Sequence, residues 1–172
     1  FRANPYDKTY EPAEDYDLWT RLAFQGELAN LEEVLLCYRV HDNQVSNERK
    51  TTQEVHSLRC KSQMISQLQI NNYFSLNDIN LVFGSTYPIS FQECEKVQLV
   101  TNFLIKMNIE LKVFDLFEFE KEMEKQKIIK IKSFITKDKF LKIKTYQFLF
   151  KKCTLNDFVK ILDINKRIKN FF

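Results

Sequence analysis

Apolar side chains recur at helical spacing through most of this chain, and this periodicity constrains the fold more than any other feature. A 3.6-residue period places such side chains on one face of an amphipathic helix. The clearest series consists of Phe91, Cys94, Val97, Val100, Leu104, Met107 and Leu111. A second series, nearer the C-terminus, consists of Leu155, Phe158, Ile161, Leu162 and Ile168. The spacing therefore predicts a mainly helical chain whose apolar stripes face a core.

Helix starts are indicated at four positions, where a hydroxyl residue is followed three residues later by an acidic one. In such a pair the hydroxyl accepts a hydrogen bond from the first turn, and the carboxylate accepts one from the backbone of the cap. The pairs are Thr51 with Glu54, Ser75 with Asp78, Ser90 with Glu93, and Thr154 with Asp157. Residues 128–135, where isoleucine alternates with lysine, are compatible with either strand or helix.

The first 50 residues have a different pattern, typical of a small α/β portion. Residues 1–13 contain turn formers without periodicity, which predicts a loop. A helix is predicted for residues 13–24, with acidic residues in its first turns and Gly26 after its end. A short strand is predicted for Leu35–His41, with Arg39 and His41 on the same face. The expected organisation is an α/β portion at residues 1–50 and a helical region at 51–172.

Composition excludes several kinds of site. Only two glycines occur, which rules out a P-loop and a Rossmann fingerprint within these residues. The four cysteines form no C-x-x-C pair and no zinc spacing with a histidine, which indicates free thiols in a reducing cytoplasm. No stretch approaches the roughly 18 consecutive apolar residues that a membrane helix requires. The first residue is Phe1 rather than Met, which is explained either by a longer reading frame upstream or by an omitted tag.

Charge is distributed unevenly along the chain. Residues 125–172 contain 14 Lys or Arg and 3 Asp or Glu, against 12 and 20 in the residues before them. Lysines interspersed with Phe, Ile and Leu are typical of helices that bind an anionic membrane surface. A solvated lysine face around an ordinary helical core explains the same composition. Nucleic-acid binding is not expected, since no recognition motif accompanies the lysines.

The most specific motif lies in residues 6–46. Its parts follow in order: an acidic pair that opens a helix in AEDYDLWTRL, a glycine in FQGELANL, and Tyr-Arg-x-His with a downstream serine in EEVLLCYRVHDNQVS. This ordered set resembles the end of the catalytic domain in bacterial family 2 glycosyltransferases of the GT-A type. The resemblance covers about a quarter of the chain and stops near Ser46. The helical remainder has no family motif.

The resemblance implies sugar transfer from a nucleotide-diphosphate donor to an acceptor hydroxyl, with inversion at the anomeric carbon. The acceptor would be a glycan or a lipid-linked glycan, in cell-surface polysaccharide or glycan synthesis. Asp15 would be the general base that takes the hydroxyl proton, and Glu14 a supporting residue. Trp19 and Tyr16 would form the acceptor-side wall. Acidic residues in a first helical turn also occur as simple dipole partners, and aromatic residues on a helix are often core residues.

The same resemblance places Arg39 and His41 near the donor diphosphate and its divalent cation, Mn or Mg. Such groups stabilise the charge that develops on the leaving diphosphate. For His41, the roles of metal ligand and of hydrogen-bonded structural histidine both remain open. The enzyme would be cytoplasmic, with contact at the inner face of the membrane through its basic C-terminal third.

Two parts of a GT-A enzyme are missing from residues 1–172: the nucleotide-binding α/β unit and the D-x-D that holds the metal. The triplet Asp15-Tyr16-Asp17 lies on a predicted helix rather than after a strand, so we reject it as that motif. The expected fold class is therefore mainly α with a small α/β portion at the N-terminus, the C-terminal part of a transferase that is inactive alone. The alternative is a non-enzymatic helical module that docks a partner or binds a membrane surface.

Overall fold

The computed structural model describes residues 4–37 and 49–137, and all regular secondary structure within these ranges is helical. The α-helices are α1 (Glu14–Leu22), α2 (Lys50–Ser66), α3 (Leu76–Phe83), α4 (Phe91–Leu111) and α5 (Leu116–Lys137). Single 3-10 turns occur at Lys8–Tyr10 and Ile70–Asn72. The prediction of a mainly helical chain is confirmed for this part. None of the described helices is long and apolar enough to cross a membrane.

The chain divides into two compact units, Phe1–Ser66 and Gln67–Phe172. The first unit contains α1 and α2, which pack on each other. The second contains α3, α4 and α5, with the main packing between the two long helices. The boundary between the two units lies after α2, whereas the boundary predicted from the sequence, at residue 50, lies at the start of that helix.

The strand predicted for Leu35–His41 is not formed over its described part. Residues 34–37 have irregular backbone, and residues 38–41 lie outside the described ranges. A strand is stabilised by hydrogen bonds to a neighbouring strand, and no described residue pairs its backbone with this segment. The α/β character expected for residues 1–50 is therefore absent from the described residues.

Helix starts in the second unit follow the predicted capping pattern. The Ser75 hydroxyl accepts from the Asp78 backbone N–H at 3.3 Å, and the Asp78 carboxylate accepts from the Ser75 N–H at 3.0 Å, which is a complete capping box. Ser90 accepts from the Glu93 N–H at 3.2 Å, but the Glu93 carboxylate accepts from Ile89 instead. The predicted cap at Thr51 is wrong, because α2 already begins at Lys50. The pair at residues 154 and 157 lies outside the described residues.

The stripe on α4 faces the core of the second unit over most of its length. Four of its members are fully buried: Cys94, Val97, Val100 and Leu104. Leu111 is exposed, and the last buried residue of α4 is Asn108. The Asn108 side chain donates to the Phe114 carbonyl at 3.1 Å and accepts from the Phe114 N–H at 2.8 Å. This amide thus fixes the turn between α4 and α5.

The ambiguous segment 128–135 is helical and belongs to α5. Ile131 and Phe134 pack with Cys94 of α4 in a common cluster. Lys130 is buried at 3% exposure, and its ammonium donates to the carbonyls of Gly84 and Thr86 in the turn after α3. Lys130, which belongs to the lysine-rich region 125–172, therefore stabilises the packing of α5 on the turn after α3.

Candidate active site

The acidic pair lies at the start of a helix, as the sequence predicts. α1 begins at Glu14, and Asp15 is its second residue. The N-cap residue is Ala13, whose side chain makes no capping hydrogen bond, so the amides of the first turn require other acceptors. The positive end of the α1 dipole favours negative charge at these two positions.

Asp15 is exposed, and one of those amides orients its carboxylate. The Tyr16 backbone N–H donates to Asp15 Oδ1 at 2.7 Å. Within the described residues, Asp15 Oδ2 has no hydrogen-bond partner and the carboxylate has no ion pair. One oxygen is therefore held by the helix, while the other is free to accept a proton. A free carboxylate oxygen can take a proton from a hydroxyl group within hydrogen-bond reach, which is the role of a general base.

Glu14 is oriented differently from Asp15. Its side chain is half-buried, and its Oε2 atom is buried without a hydrogen-bond partner among the described residues. Buried acceptors are almost always satisfied in folded proteins, so an exception marks a place where a further donor is expected. Glu14 thus does not share the exposed surface of Asp15.

Trp19 follows Asp15 by four residues, so the two side chains lie on the same face of α1. Trp19 is 48% exposed, so part of its large apolar ring lies at the surface of this helix face. Tyr16 is half-buried, and burial, with a smaller contribution from Cys60, raises the pKa of its hydroxyl. Of the two aromatic residues expected at the acceptor-side wall, Trp19 is the one that accompanies Asp15 at the surface.

An ion pair between the buried Asp17 and the half-buried Arg21 supports α1 from its other side. Asp17 is only 2% exposed, and the Arg21 guanidinium reaches its Oδ2 atom through Nε at 3.0 Å and Nη2 at 2.9 Å. The same Nη2 donates to the Pro5 carbonyl at 2.8 Å, which fastens the preceding loop to the helix. The motif does not single out this pair, although an acid followed by a base four residues later is the sequence signal for it.

Helix α2 forms the surface against which the loop before α1 packs. Tyr10 is buried there, with its hydroxyl donating to Gln63 Oε1 at 2.9 Å. The Arg59 guanidinium lies 4.2 Å from the centre of the Tyr10 ring, and the His56 ring lies 6.0 Å from it, edge to face. Cys60, on the same side of α2, is fully buried. These contacts hold the entry to α1, and with it the position of the acidic pair.

Ionisation of the Cys60 thiol is expected to lower the stability of the fold at alkaline pH. Burial, followed by the negative charge of Asp17, raises its pKa from 9.0 to about 11. The folded state therefore holds this proton more tightly than the unfolded state. The resulting stability is fully present below pH 9 and is lost as the pH rises through 11. We expect the free energy of unfolding to fall by about 2–3 kcal/mol over this interval.

Urea unfolding at a series of pH values measures this loss, and Cys60→Ala is the variant that isolates it. The decrease that begins near pH 9 should disappear in the variant, whereas the later contribution of Tyr16 should remain, because burial shifts that pKa in the same direction. An equal decrease in both proteins would show that the thiol is not its cause.

The remaining predicted site residues, Arg39 and His41, lie outside the described residues, and their roles stay predictions. Within residues 4–37 and 49–137, no group of three His, Cys, Asp or Glu side chains could hold a metal ion. Asp15 is exposed and Asp17 is buried, so the two carboxylates do not face a common ion. The described residues therefore do not fit the donor set for Mn or Mg, and no reaction step is assigned to a cation.

A surface concavity of about 570 Å³ lies elsewhere, along α5 in the second unit. Among the described residues, its lining consists of side chains of α5: Phe117, Glu120, Lys121, Glu124, Lys125, Ile128 and Ile129. Lys121 and Lys125 are paired with Glu118 and Glu122 on the same helix. The concavity contains none of the residues of the acidic-pair motif, and we do not assign the chemistry to it.

Comparison with curated proteins finds similarity to an uncharacterized glycosyltransferase of Haemophilus influenzae, 30% identical over 146 residues. The match covers 77% of this chain and 42% of the relative, so the chain spans about two fifths of the relative's length. No family model matches the chain. No solved structure matches it either.

The similarity extends far beyond the acidic-pair motif. Residues 6–46 are about a quarter of the chain, whereas the match covers 77% of it, so a large part of the helical region is included. The match is therefore not confined to the acidic-pair motif. The chain is similar to a glycosyltransferase over most of its length.

Proposed function

We propose that this chain is the acceptor-side part of an inverting glycosyltransferase of family 2 and the GT-A type, with Asp15 as its general base. The observation that carries the proposal is the free Asp15 carboxylate at the positive end of α1, with Trp19 one turn further along the same exposed face. The similarity to a glycosyltransferase supports the class of reaction.

In the proposed reaction, the acceptor hydroxyl attacks the anomeric carbon of the donor sugar. Asp15 Oδ2 takes the hydroxyl proton as the new C–O bond forms. The bond from the anomeric carbon to the diphosphate breaks, and its electron pair leaves with the nucleoside diphosphate. Attack from the face opposite the leaving group inverts the configuration. The Tyr16 N–H, bound to Oδ1, keeps the second carboxylate oxygen directed outward.

The acceptor is proposed to be a glycan or a lipid-linked glycan. The apolar face of a sugar ring can lie on an exposed aromatic ring, and Trp19 offers such a ring beside the base. Asp17 and Arg21 act through the helix rather than on the substrate, because their ion pair holds α1 against the preceding loop. We expect the nucleotide-sugar site and its divalent cation outside the described residues, so residues 1–172 alone should be inactive.

The proposal is tested by measuring nucleoside diphosphate release in the full-length product of the gene, with and without acceptor. Acceptor-dependent release that requires Asp15 is expected. Release that is indifferent to the Asp15→Asn substitution would refute the assignment of the base. Absence of any release, from any nucleotide-sugar, would favour the non-enzymatic helical module.

We also propose a cytoplasmic location with contact at the inner face of the membrane, carried by the basic region beyond residue 137. In the described part of the basic block, Lys127 and Lys130 are buried, and Lys127 pairs with Glu124 at 2.7 Å. Those two lysines are therefore not available to lipid. Co-sedimentation with anionic vesicles at low and high salt tests the contact, and a lack of binding at low salt would exclude it.

A further inference from the structure

The concavity along α5 is bordered by a stripe of side chains on one face of that helix. Residues three or four positions apart share a helix face, and the lining residues follow this spacing from Phe117 to Ile129. A single helix has a convex surface, so a concavity beside it needs a second wall. Within the described ranges, no other element contributes a residue to that wall. The shape of this face therefore fits a second element that lies along α5.

The stripe on α5 is apolar at both ends and charged in its middle. Phe117 at one end is 72% exposed, and Ile129 at the other is 42% exposed. Between them, Lys121 and Lys125 are already paired with glutamates of α5. Glu120 is exposed, and its carboxylate has no ion pair within the described residues. An element that covers this face should therefore carry apolar side chains for the two ends and a basic one near Glu120.

The apolar series at residues 155–168 has the spacing and the length that this face requires. The pair Thr154 and Asp157 predicts that a helix begins there. A helix rises about 1.5 Å per residue, so the series extends over about 20 Å and the stripe on α5 over about 18 Å. Isolated helices shorter than about 12–15 residues are marginal in water. The predicted helix therefore needs a surface on which to pack.

We propose that the segment 155–168 of this chain lies antiparallel along α5 and covers the stripe. α5 ends at Lys137, and residues 138–154 connect it to the segment. An extended chain spans roughly 3.3 Å per residue, so this connection reaches about 55 Å. The return along α5 to Ile129 is only about 12 Å. The connection is therefore long enough for this docking, which does not depend on the assignment of the catalytic base.

Charge favours the antiparallel alignment. When Leu155 lies beside Ile129, Ile168 lies beside Phe117, and Lys166 comes level with Glu120. A parallel alignment would place Lys166 about 12 Å from Glu120 along the helix axis. Only the antiparallel arrangement thus supplies a basic partner for this carboxylate.

Two other occupants fit this surface less well. If the apolar series were inserted into a lipid surface, Phe117 would stay exposed on α5. A second copy of the chain would have to compete with a segment that is joined to α5 by a short linker, whose effective concentration is in the range of about millimolar. With the apolar series covered, the membrane contact proposed for the region beyond residue 137 would depend on its lysines alone.

Hydrogen–deuterium exchange of the chain 1–172, in the absence of lipid, tests the docking. We expect the amides of residues 155–168 to exchange more slowly than those of an unstructured peptide by on the order of 100-fold, independently of protein concentration. Fast exchange would overturn the proposal. Protection that requires vesicles of phosphatidylserine and phosphatidylcholine would assign the series to lipid, and protection that grows with protein concentration would assign it to a second copy. Either result would overturn the docking.

Two variants show whether α5 is the surface that is covered. Phe117 on α5 and Leu99 on α4 are both exposed apolar residues, at 72% and 57%. Phe117→Glu should speed the exchange of residues 155–168 by about tenfold or more, because it places a charge under an apolar cover. Leu99→Glu is the matched control and should leave that exchange unchanged. The amides of residues 94–104 in α4 should stay protected in both variants, which shows that the unit remains folded.

Equal exchange of residues 155–168 in Phe117→Glu and in the unmodified chain would overturn docking on α5. Faster exchange in Leu99→Glu alone would do so as well, because it would assign the segment to the exposed face of α4.

A charge exchange tests the alignment. Glu120→Lys should speed the exchange of residues 155–168 by about two- to fivefold, the size expected when one ion pair is replaced by a repulsion. Addition of Lys166→Glu to the same chain should restore the slower rate. If the second substitution fails to restore it, the antiparallel alignment is overturned.

Discussion

Replacement of Asp15 by asparagine in the full-length protein is expected to lower the turnover number for sugar transfer by about 10²–10⁴-fold, the usual contribution of a general base. Asparagine has nearly the same size and can still accept the Tyr16 N–H bond that orients residue 15. It cannot take a proton from the acceptor hydroxyl. The measurement is the rate of nucleoside diphosphate release at saturating acceptor, compared between the two proteins.

Asp7→Asn is a closely matched control for this substitution. Asp7 is also exposed, lies in the same compact unit, and accepts a backbone N–H bond, from Thr9 at 2.8 Å. Like Asp15→Asn, this variant removes one negative charge and keeps an oxygen that can accept the backbone N–H bond. Its turnover number should equal that of the unmodified protein. Equal losses in the two variants would point to a general electrostatic or folding effect and would contradict a specific role for Asp15.

Local sequence signals are sufficient for three of the five helix starts in the described residues, those of α1, α3 and α4. The caps at Ser75 and Ser90 form because each hydroxyl and its amide partner are three residues apart. Burial of Cys94 and Leu104 follows from the period of the helix alone.

Other features depend on residues that are distant in the sequence, and no local pattern indicates them. Asn108 is buried because its amide fits the backbone of Phe114 across a turn. Lys130 is buried because two carbonyls, at residues 84 and 86, receive its ammonium. Composition alone would place this lysine in solvent. These positions are determined by tertiary packing, which the apolar period does not encode.

In the candidate site, too, local sequence patterns predict the helix but not which side chains are buried. First-turn acids and the following Gly26 are enough to predict α1 and to place Glu14 and Asp15 at its start. The sequence does not distinguish the free carboxylate of Asp15 from the buried, paired one of Asp17, because the difference arises from how α1 packs on its neighbours. The predicted strand at 35–41 lacks a partner in the described residues for a related reason. Strand pairing is not a local property.

Replacement of Arg21 by methionine is expected to lower the free energy of unfolding of the chain by about 2 kcal/mol, since the buried Asp17 carboxylate loses its charged partner. The loss is smaller than for a fully buried pair, because the Arg21 side chain is 34% exposed and water can reach the place it leaves. Methionine retains much of the apolar length of the arginine side chain. The Asp17 carboxylate stays almost fully buried, and the link to the Pro5 carbonyl is lost as well. Urea unfolding of residues 1–172 at neutral pH measures the change.

Lys106→Met provides the comparison between the partly buried pair and an exposed one. Lys106 and Glu110 are also four residues apart, at 3.8 Å, but both side chains are exposed. Such pairs contribute at most about 0.5 kcal/mol.

The double substitution Asp17→Leu with Arg21→Met should recover much of the stability that Arg21→Met loses, because it removes the buried charge together with its partner. If Arg21→Met instead cost no more than Lys106→Met, water would reach Asp17 readily. Such a result would contradict the interpretation of Asp17 as a buried carboxylate that depends on Arg21 to compensate its charge.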